Sequence, residues 1–318
     1  MSIKVSVCIP VYGVEKYIDR CARSLFEQTM RDGIEFIFVN DCTPDKSIEI
    51  LEQILSEYPH RQEQTKIIHH KQNGGLVAAR NTGLSHASGE YIIHCDSDDW
   101  VELDMYEKMY LAAKEADADM VYCDYVREMP ENKNVYSGGT SLSAVALQNE
   151  IADRKTMGTL WNRLYRREIA SADYSEVCPD NIIFCEDMLR NMFMLQCTKK
   201  IVHVSQALYH YAYNPNSITH TQGQKLAENA YASQKILEKY FHDEKYRISL
   251  DYRRRYVLFL AISFNVISIW KSYKAYWLTH LRMWKDSHFS FKAKCIFYLA
   301  CINFNAASYI YRKTKGIK

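Results

Sequence analysis

Five short apolar runs, at 4–9, 35–40, 66–70, 91–95 and 120–125, recur along the chain with helix-like stretches between them. Residues 15–28 have helical spacing, as do Ile48, Leu51, Ile54 and Leu55. Asn73-Gly-Gly75 opens a further helix, and another starts near Asp104. Few folds accept strand and helix in alternation with such short connections. Parallel neighbours need a helical crossover, so the pattern predicts an α/β fold with a mainly parallel sheet and helices on both faces. Ligands of such sheets sit beyond the carboxyl ends of the strands. Asp41, Arg80 and the acids at 96–99 all fall at those ends or in the adjoining turns.

The fourth run ends in Asp96-Ser-Asp-Asp99, three carboxylates within four residues. Crowded carboxylates repel one another, and a divalent cation with hard oxygen ligands removes the repulsion. The alternative is an acidic turn in which Asp98 or Asp99 caps the next helix. Asn73-Gly-Gly75 is not a nucleotide fingerprint: G-x-G-x-x-G and G-x-x-x-x-G-K-[ST] are both missing from the sequence. Arg80 reads either as a solvated or ion-paired helical arginine or as a contact to phosphate or base.

At 318 residues and 47% apolar, the chain can bury a substantial core, which excludes global disorder. The net charge of +2 hides an asymmetry: residues 222–318 hold 18 Lys/Arg against 6 Asp/Glu, so +12 faces −10 in residues 1–221. The ten cysteines show no C-x-x-C spacing and read as buried thiols of a reducing compartment. No secretory signal opens the sequence, and no apolar run reaches the length of a membrane-spanning helix.

Four blocks, in order, resemble the signatures of family 2 glycosyltransferases of the bacterial surface-polysaccharide type. They are Pro10-Val-Tyr12, Val39-Asn-Asp41 with Asp45, Asn73-Gly-Gly75 with Ala79-Arg-Asn-Thr-Gly83, and Asp96-Ser-Asp-Asp99. The resemblance covers roughly residues 3–220. It implies a GT-A fold, an inverting enzyme of the hexosyltransferase class and a DXD motif that holds Mn²⁺ or Mg²⁺. It further implies that Pro10, Tyr12 and Asp41 line the base pocket, with Asp41 accepting a hydrogen bond from the ring. Arg80 would approach base or phosphates, Asp96 the ribose, and Asp98 the metal. Asp99 is left as donor-sugar contact or helix cap.

Residues 127–160 read as an irregular excursion over the site. Trp161-Asn-Arg-Leu-Tyr165 resembles the family's W-x-K-L-Y stretch, with Arg163 at the usual lysine; a core anchor with a surface arginine is the alternative. Next, a strand-like run at 182–185 delivers Glu186 and Asp187 to a helix start. Capping the helix would account for both acids. The resemblance makes Asp187 the base that takes the acceptor proton, with Glu186 in support. Tyr209, Tyr211 and Ser217 match the closing Y-x-Y-R…S-I segment, but Ala212 stands at the basic position, leaving His210 or Lys225 as candidate substitutes. Residues 222–318 mix Trp and Tyr with Lys and Arg and read as helical. That composition suits an anionic membrane surface; a helical bundle with a basic face, or a homodimer contact, is the alternative. No nucleic-acid motif occurs.

The sequence therefore predicts a catalytic domain at 1–221 and a basic helical region at 222–318. The expected activity is metal-dependent sugar transfer from a nucleotide-sugar, a UDP-sugar first, to a hydroxyl of a glycan or lipid-linked saccharide. The rival is a non-catalytic, membrane-docked nucleotide-sugar-binding or assembly protein of the same fold. The expected location is cytoplasmic, at the inner face of the cytoplasmic membrane.

Overall fold

Val5–Val11 (β1) is buried at every position, and Ile34–Asn40 (β2) at all but the last. Such runs are stable only when both sheet faces are covered. The computed structural model describes residues 2–179, 182–215, 223–279 and 290–315, less the side chains of 274–279. Ser217, Trp284, Phe289 and the Trp277 side chain lie outside the described residues. The chain divides into two compact units, Met1–Asn214 and Pro215–Lys318.

In the first unit Thr65–His69 (β3), β2, β1 and Tyr91–His94 (β4) lie side by side and parallel. The connecting helices are Ile18–Phe26 (α1), Ser47–Glu57 (α2) and Leu76–His86 (α3). Register pairs Pro10 with Val39 and Cys8 with His94, so β1, β2 and β4 end on one edge. Phe26 of α1 meets Phe36 and Phe38 edge-on at 5.7 and 6.0 Å, which seats that helix over β2.

Beyond β4 the sheet is mixed. Arg163–Arg166 (β8) runs antiparallel to β4 and to Met120–Glu128 (β6). Ile201–Tyr211 (β9) is parallel to β6 across an irregularity at 123–125, and Trp100–Val101 (β5) is antiparallel to β9. Lys133–Tyr136 (β7) returns on β6 as a hairpin. Met105–Ala116 (α4), Ala144–Ala152 (α5), Arg167–Ala170 (α6) and Glu186–Gln196 (α7) complete the unit.

Two expectations change. The 127–160 stretch contains β7 and α5 and is not wholly irregular. Residues 182–185 form no strand; the chain instead enters α7 through Cys185 in the left-handed region, φ 69°.

The second unit is helical: Gly223–Tyr240 (α8), Arg247–Ser263 (α9), Ile267–Thr279 (α10), Phe291–Ile302 (α11) and Phe304–Lys315 (α12). Val257, Leu258, Ala261, Ile262, Trp270 and Phe297 form its core. The arginines at 253–255 do not make a solvated basic face. Arg253 is 3% exposed and donates to Ser233 Oγ at 2.8 Å, and Arg254 pairs with Glu238 at 2.6 Å and Asp251 at 2.8 Å. No helix among the described residues is long and apolar enough to cross a membrane.

Candidate active site

The carboxyl ends of β1, β2 and β4 bring the sequence-marked residues to one edge. Pro10 lies inside β1, and Tyr12 just past its end is 51% exposed. Asp41 follows β2 and is buried, with its carboxylate fully engaged. Oδ1 accepts from Gly74 N–H at 2.7 Å and meets His70 Nδ1 at 2.7 Å, while Oδ2 accepts from Gly75 N–H at 2.8 Å. Asp41 thus clamps the glycine turn, and a hydrogen bond to a base would require an exchange of partners. Gly75 has φ +84° with open space around its Cα, so backbone conformation rather than crowding requires glycine there. Asp45 stitches the two neighbouring loops by accepting from Glu15 N–H, Ser47 N–H, Ser47 Oγ and Thr43 Oγ1.

The three acids after β4 have separate fates. Asp99 is 1% exposed; it accepts from Tyr209 hydroxyl at 2.6 Å and from Ala212 N–H at 2.8 Å. It anchors β9 and caps nothing, since α4 starts at Met105 with Asp104 in the cap position. Position 212 therefore contributes through its backbone. Asp98 accepts from Asn214 Nδ2 at 2.8 Å. Burial first, then the Asp96 charge, pushes the Asp98 carboxyl above its ordinary range. Asp96 is the most open of the pairing acids, with a quarter of its side chain exposed.

Arg80 on α3 joins two parts of the sequence. Its Nη2 donates to Asp96 Oδ1 at 2.8 Å and its Nη1 to Glu186 Oε1, with the guanidinium only 5% exposed. Burial works against its charge, but Asp96, Glu186 and Asp187 outweigh burial and hold it protonated. Glu186 and Asp187 open α7, where the helix dipole favours anions. Even so, burial raises both: Glu186 to about 7, against Arg80 and with Asp187, and Asp187 above the usual aspartate range. Asp187 Oδ1 accepts from Met188 N–H at 2.7 Å. The strained backbone at Cys185 aims this first turn.

Behind the site Trp161, 2% exposed, stacks on Tyr209 at 4.2 Å and supports the tyrosine that holds Asp99. Arg163 is no surface residue. It is 1% exposed and donates to the carbonyls of Thr159 (2.7 Å), Gly138 (2.8 Å) and Met157 (2.9 Å). It pins the excursion beside α7. A Cβ on Gly138 would meet the Cys123 carbonyl at 2.1 Å, so this approach admits only glycine. His210 is not oriented toward a ligand; its Nε2 meets Glu102 at 2.8 Å and its ring stacks on Trp100 at 3.5 Å. Lys225 lies on α8, in the second unit.

Sequence reasoning passed over three residues of this edge: His70, Asn214 and Arg190, whose Nη2 donates to Asn81 Oδ1 at 2.6 Å. His70 carried a usable signal, a histidine at the carboxyl end of the third strand. Among the described residues no group of three or more His, Cys, Asp or Glu side chains forms a ready-made cation cage. The residues present still fit a cation of the magnesium kind, which takes one or two carboxylates and draws its other ligands from phosphate and water. Asp98, destabilised as an anion and held by one neutral amide, is such a carboxylate.

Comparison with known proteins identifies the family. A model of glycosyl transferase family 2 matches residues 6–172. The chain is 33% identical over 222 residues to the uncharacterized glycosyltransferase EpsJ of Bacillus subtilis (strain 168), covering 68% of this chain and 62% of EpsJ. The match thus spans under two thirds of that relative. S. aureus TarS 1–349, in a structure with UDP-GlcNAc, superposes with TM-score 0.63 at 19% identity over 82% of this chain and 73% of TarS 1–349. The Pyrobaculum calidifontis mannosyltransferase PcManGT, with GDP-Man and Mn²⁺, gives 0.57 at 13% over 98% and 87%. Those two likenesses concern the fold. With the family match and the EpsJ identity, they make this chain a glycosyltransferase of family 2, built on a GT-A fold with helices added at its C-terminal end.

Proposed function

We propose that the enzyme transfers a sugar from a nucleotide-sugar, a UDP-sugar first, to a hydroxyl of a glycan or lipid-linked saccharide, by a single inverting displacement that depends on a divalent ion. The observation that carries this reading is the Arg80 bridge, which gathers the acids after β4 and the acids of α7 into one site. TarS with UDP-GlcNAc and PcManGT with GDP-Man and Mn²⁺ support the donor class.

Asp98, with Asp96 beside it, would hold Mn²⁺ or Mg²⁺. When bound, that ion offsets the charge that builds on the departing diphosphate. The chain's own residues do the rest. Pro10 and Tyr12 border the base pocket at the end of β1, and Asp41 keeps the glycine turn in place behind it. Asp187 accepts the proton of the attacking hydroxyl as the new bond forms, a contribution of typically ~10²–10⁴-fold. Glu186 holds Arg80 against Asp96 and keeps the guanidinium between the two acidic groups. Exposed Ile302, Tyr309, Lys313 and Lys315 on α11 and α12 support peripheral attachment to an anionic membrane surface.

Calorimetry with UDP, with and without Mn²⁺, tests the reading. Wild type should bind UDP more tightly with Mn²⁺, and Asp98→Asn should lose that gain. Asp187→Asn should keep it while losing transfer. Equal UDP affinity with and without Mn²⁺ in wild type would reject the metal-dependent mechanism.

A further inference from the structure

The end of β6, the hairpin strand β7 and the end of β9 carry an aromatic surface that none of the steps above uses. Register sets Tyr125 opposite both Tyr136 and Tyr209, and Arg127 opposite Tyr211. Tyr136 stacks on Tyr125 at 5.5 Å and 16°, Tyr125 meets Trp161 edge-on at 4.9 Å, and Trp161 lies nearly parallel to Tyr209 and Tyr211. This array is continuous with the active-site edge, because Tyr209 donates to Asp99. Tyr211 belongs to the same stack, its ring 6.0 Å from that of Trp161.

At its outer end the array is open. Tyr136 remains 40% exposed although one ring face is covered by Tyr125. The exposed Arg127 guanidinium lies 6.0 Å from the centre of the Tyr211 ring. The adjacent acid, Glu128, is taken by Arg20, Lys133 and His210, which leaves Arg127 without a carboxylate partner among the described residues. An open aromatic face offers a sugar ring a surface for its C–H bonds, and an uncompensated arginine beside it selects for an anion.

We propose that this face, Tyr136, Tyr211 and Arg127, receives the acceptor, and that the acceptor is a saccharide with negative charge near its accepting ring. The proposal rests on the glycosyltransferase reading and names its acceptor class. Aromatic stacking would orient the ring toward Asp187, and Arg127 would distinguish a charged chain from a neutral one. The charge could be a carboxylate of a uronic acid or the phosphate of a phosphodiester chain.

Calorimetry on the full chain with UDP and Mn²⁺ present tests it with three disaccharide probes of similar length: one ending in glucuronate, one carrying a phosphodiester on its terminal hexose and one neutral. Wild type should bind at least one anionic probe about tenfold or more tightly than the neutral one, the size of one charge-assisted hydrogen bond. The arm that binds identifies the source of the charge. Arg127→Gln should abolish the preference, and Tyr136→Ala should weaken whichever probe binds while Tyr136→Phe restores it. Equal affinity for charged and neutral probes, no binding of either anionic probe, or unchanged affinities in the variants would overturn the proposal. A titration of wild type with UDP and Mn²⁺ alone separates the failures: UDP bound without saccharide preference sinks only this inference, whereas no UDP binding sinks the donor reading beneath it.

Discussion

As the proposed base, Asp187 would have to be an anion at the moment an acceptor hydroxyl loses its proton, yet burial makes that state costly. A base with a raised pKa loses activity as pH falls through that value, so the acid limb of kcat should lie above the ordinary aspartate pKa of about 3.9. A pH–rate profile with its acid limb at or below that value would remove Asp187 from the role. Asp187→Asn should lower kcat by ~10²–10⁴ and leave the donor KM near wild type. Asp98 leads to a prediction of opposite sign for stability. Its folded pKa is raised, so its ionised form at neutral pH costs stability and protonation relieves it. Without metal, Asp98→Asn should raise Tm by roughly 1–2 °C, the size of about 1 kcal/mol in a chain of 318 residues, while the Mn²⁺-dependent gain in UDP affinity disappears. Unchanged or lower Tm in calorimetric scans would show that Asp98 is not strained by its neighbours.

The elements that fix this chemistry were unequally legible. The strand runs and the four motif blocks placed β1, β2 and β4 and their acids, because buried parallel strands announce themselves as unbroken apolar runs. The mixed half was harder. β8 has four residues and β5 has two, too few for periodicity to register, and the chain before α7 adopts a left-handed residue that no pattern marks. The surface alternative for Arg163 fails, and neither reading foresaw its burial, because its partners are main-chain carbonyls rather than acids, and carbonyls leave no trace in a sequence. Arg163→Met should cost about 3 kcal/mol in chemical denaturation by releasing those carbonyls. Gly75→Ala should cost roughly 1–3 kcal/mol, because φ 84° with ψ 169° is a backbone region open essentially to glycine alone. Wild-type stability in either variant would mean that the loop it serves is loosely held.

Across the whole molecule, two opposed sets of carboxyls shape the response to pH. Glu186, Asp98 and Asp99 are raised, so the fold gains stability as pH drops from above about 7 toward the unfolded values near 4. Glu35, Asp45 and Glu128 are lowered because their ion pairs and hydrogen bonds outweigh burial; their contribution fades as pH falls through their depressed values. Tm of the metal-free protein should therefore peak at mildly acidic pH, and a maximum at pH 8 or above would contradict this balance. Glu238 and Asp251, already counted in the net +12 of residues 222–318, are held by Arg254, so the excess positive charge lies on the remaining Lys and Arg. Sedimentation with anionic vesicles should therefore fail on Lys313→Glu/Lys315→Glu, and full binding by that variant would move attachment elsewhere. One guanidinium, meanwhile, touches both Asp96, after β4, and Glu186, at the start of α7. A change at Asp96 would therefore also be felt at Glu186, and in the proposed mechanism an alteration made on one side of the reaction would not leave the other untouched.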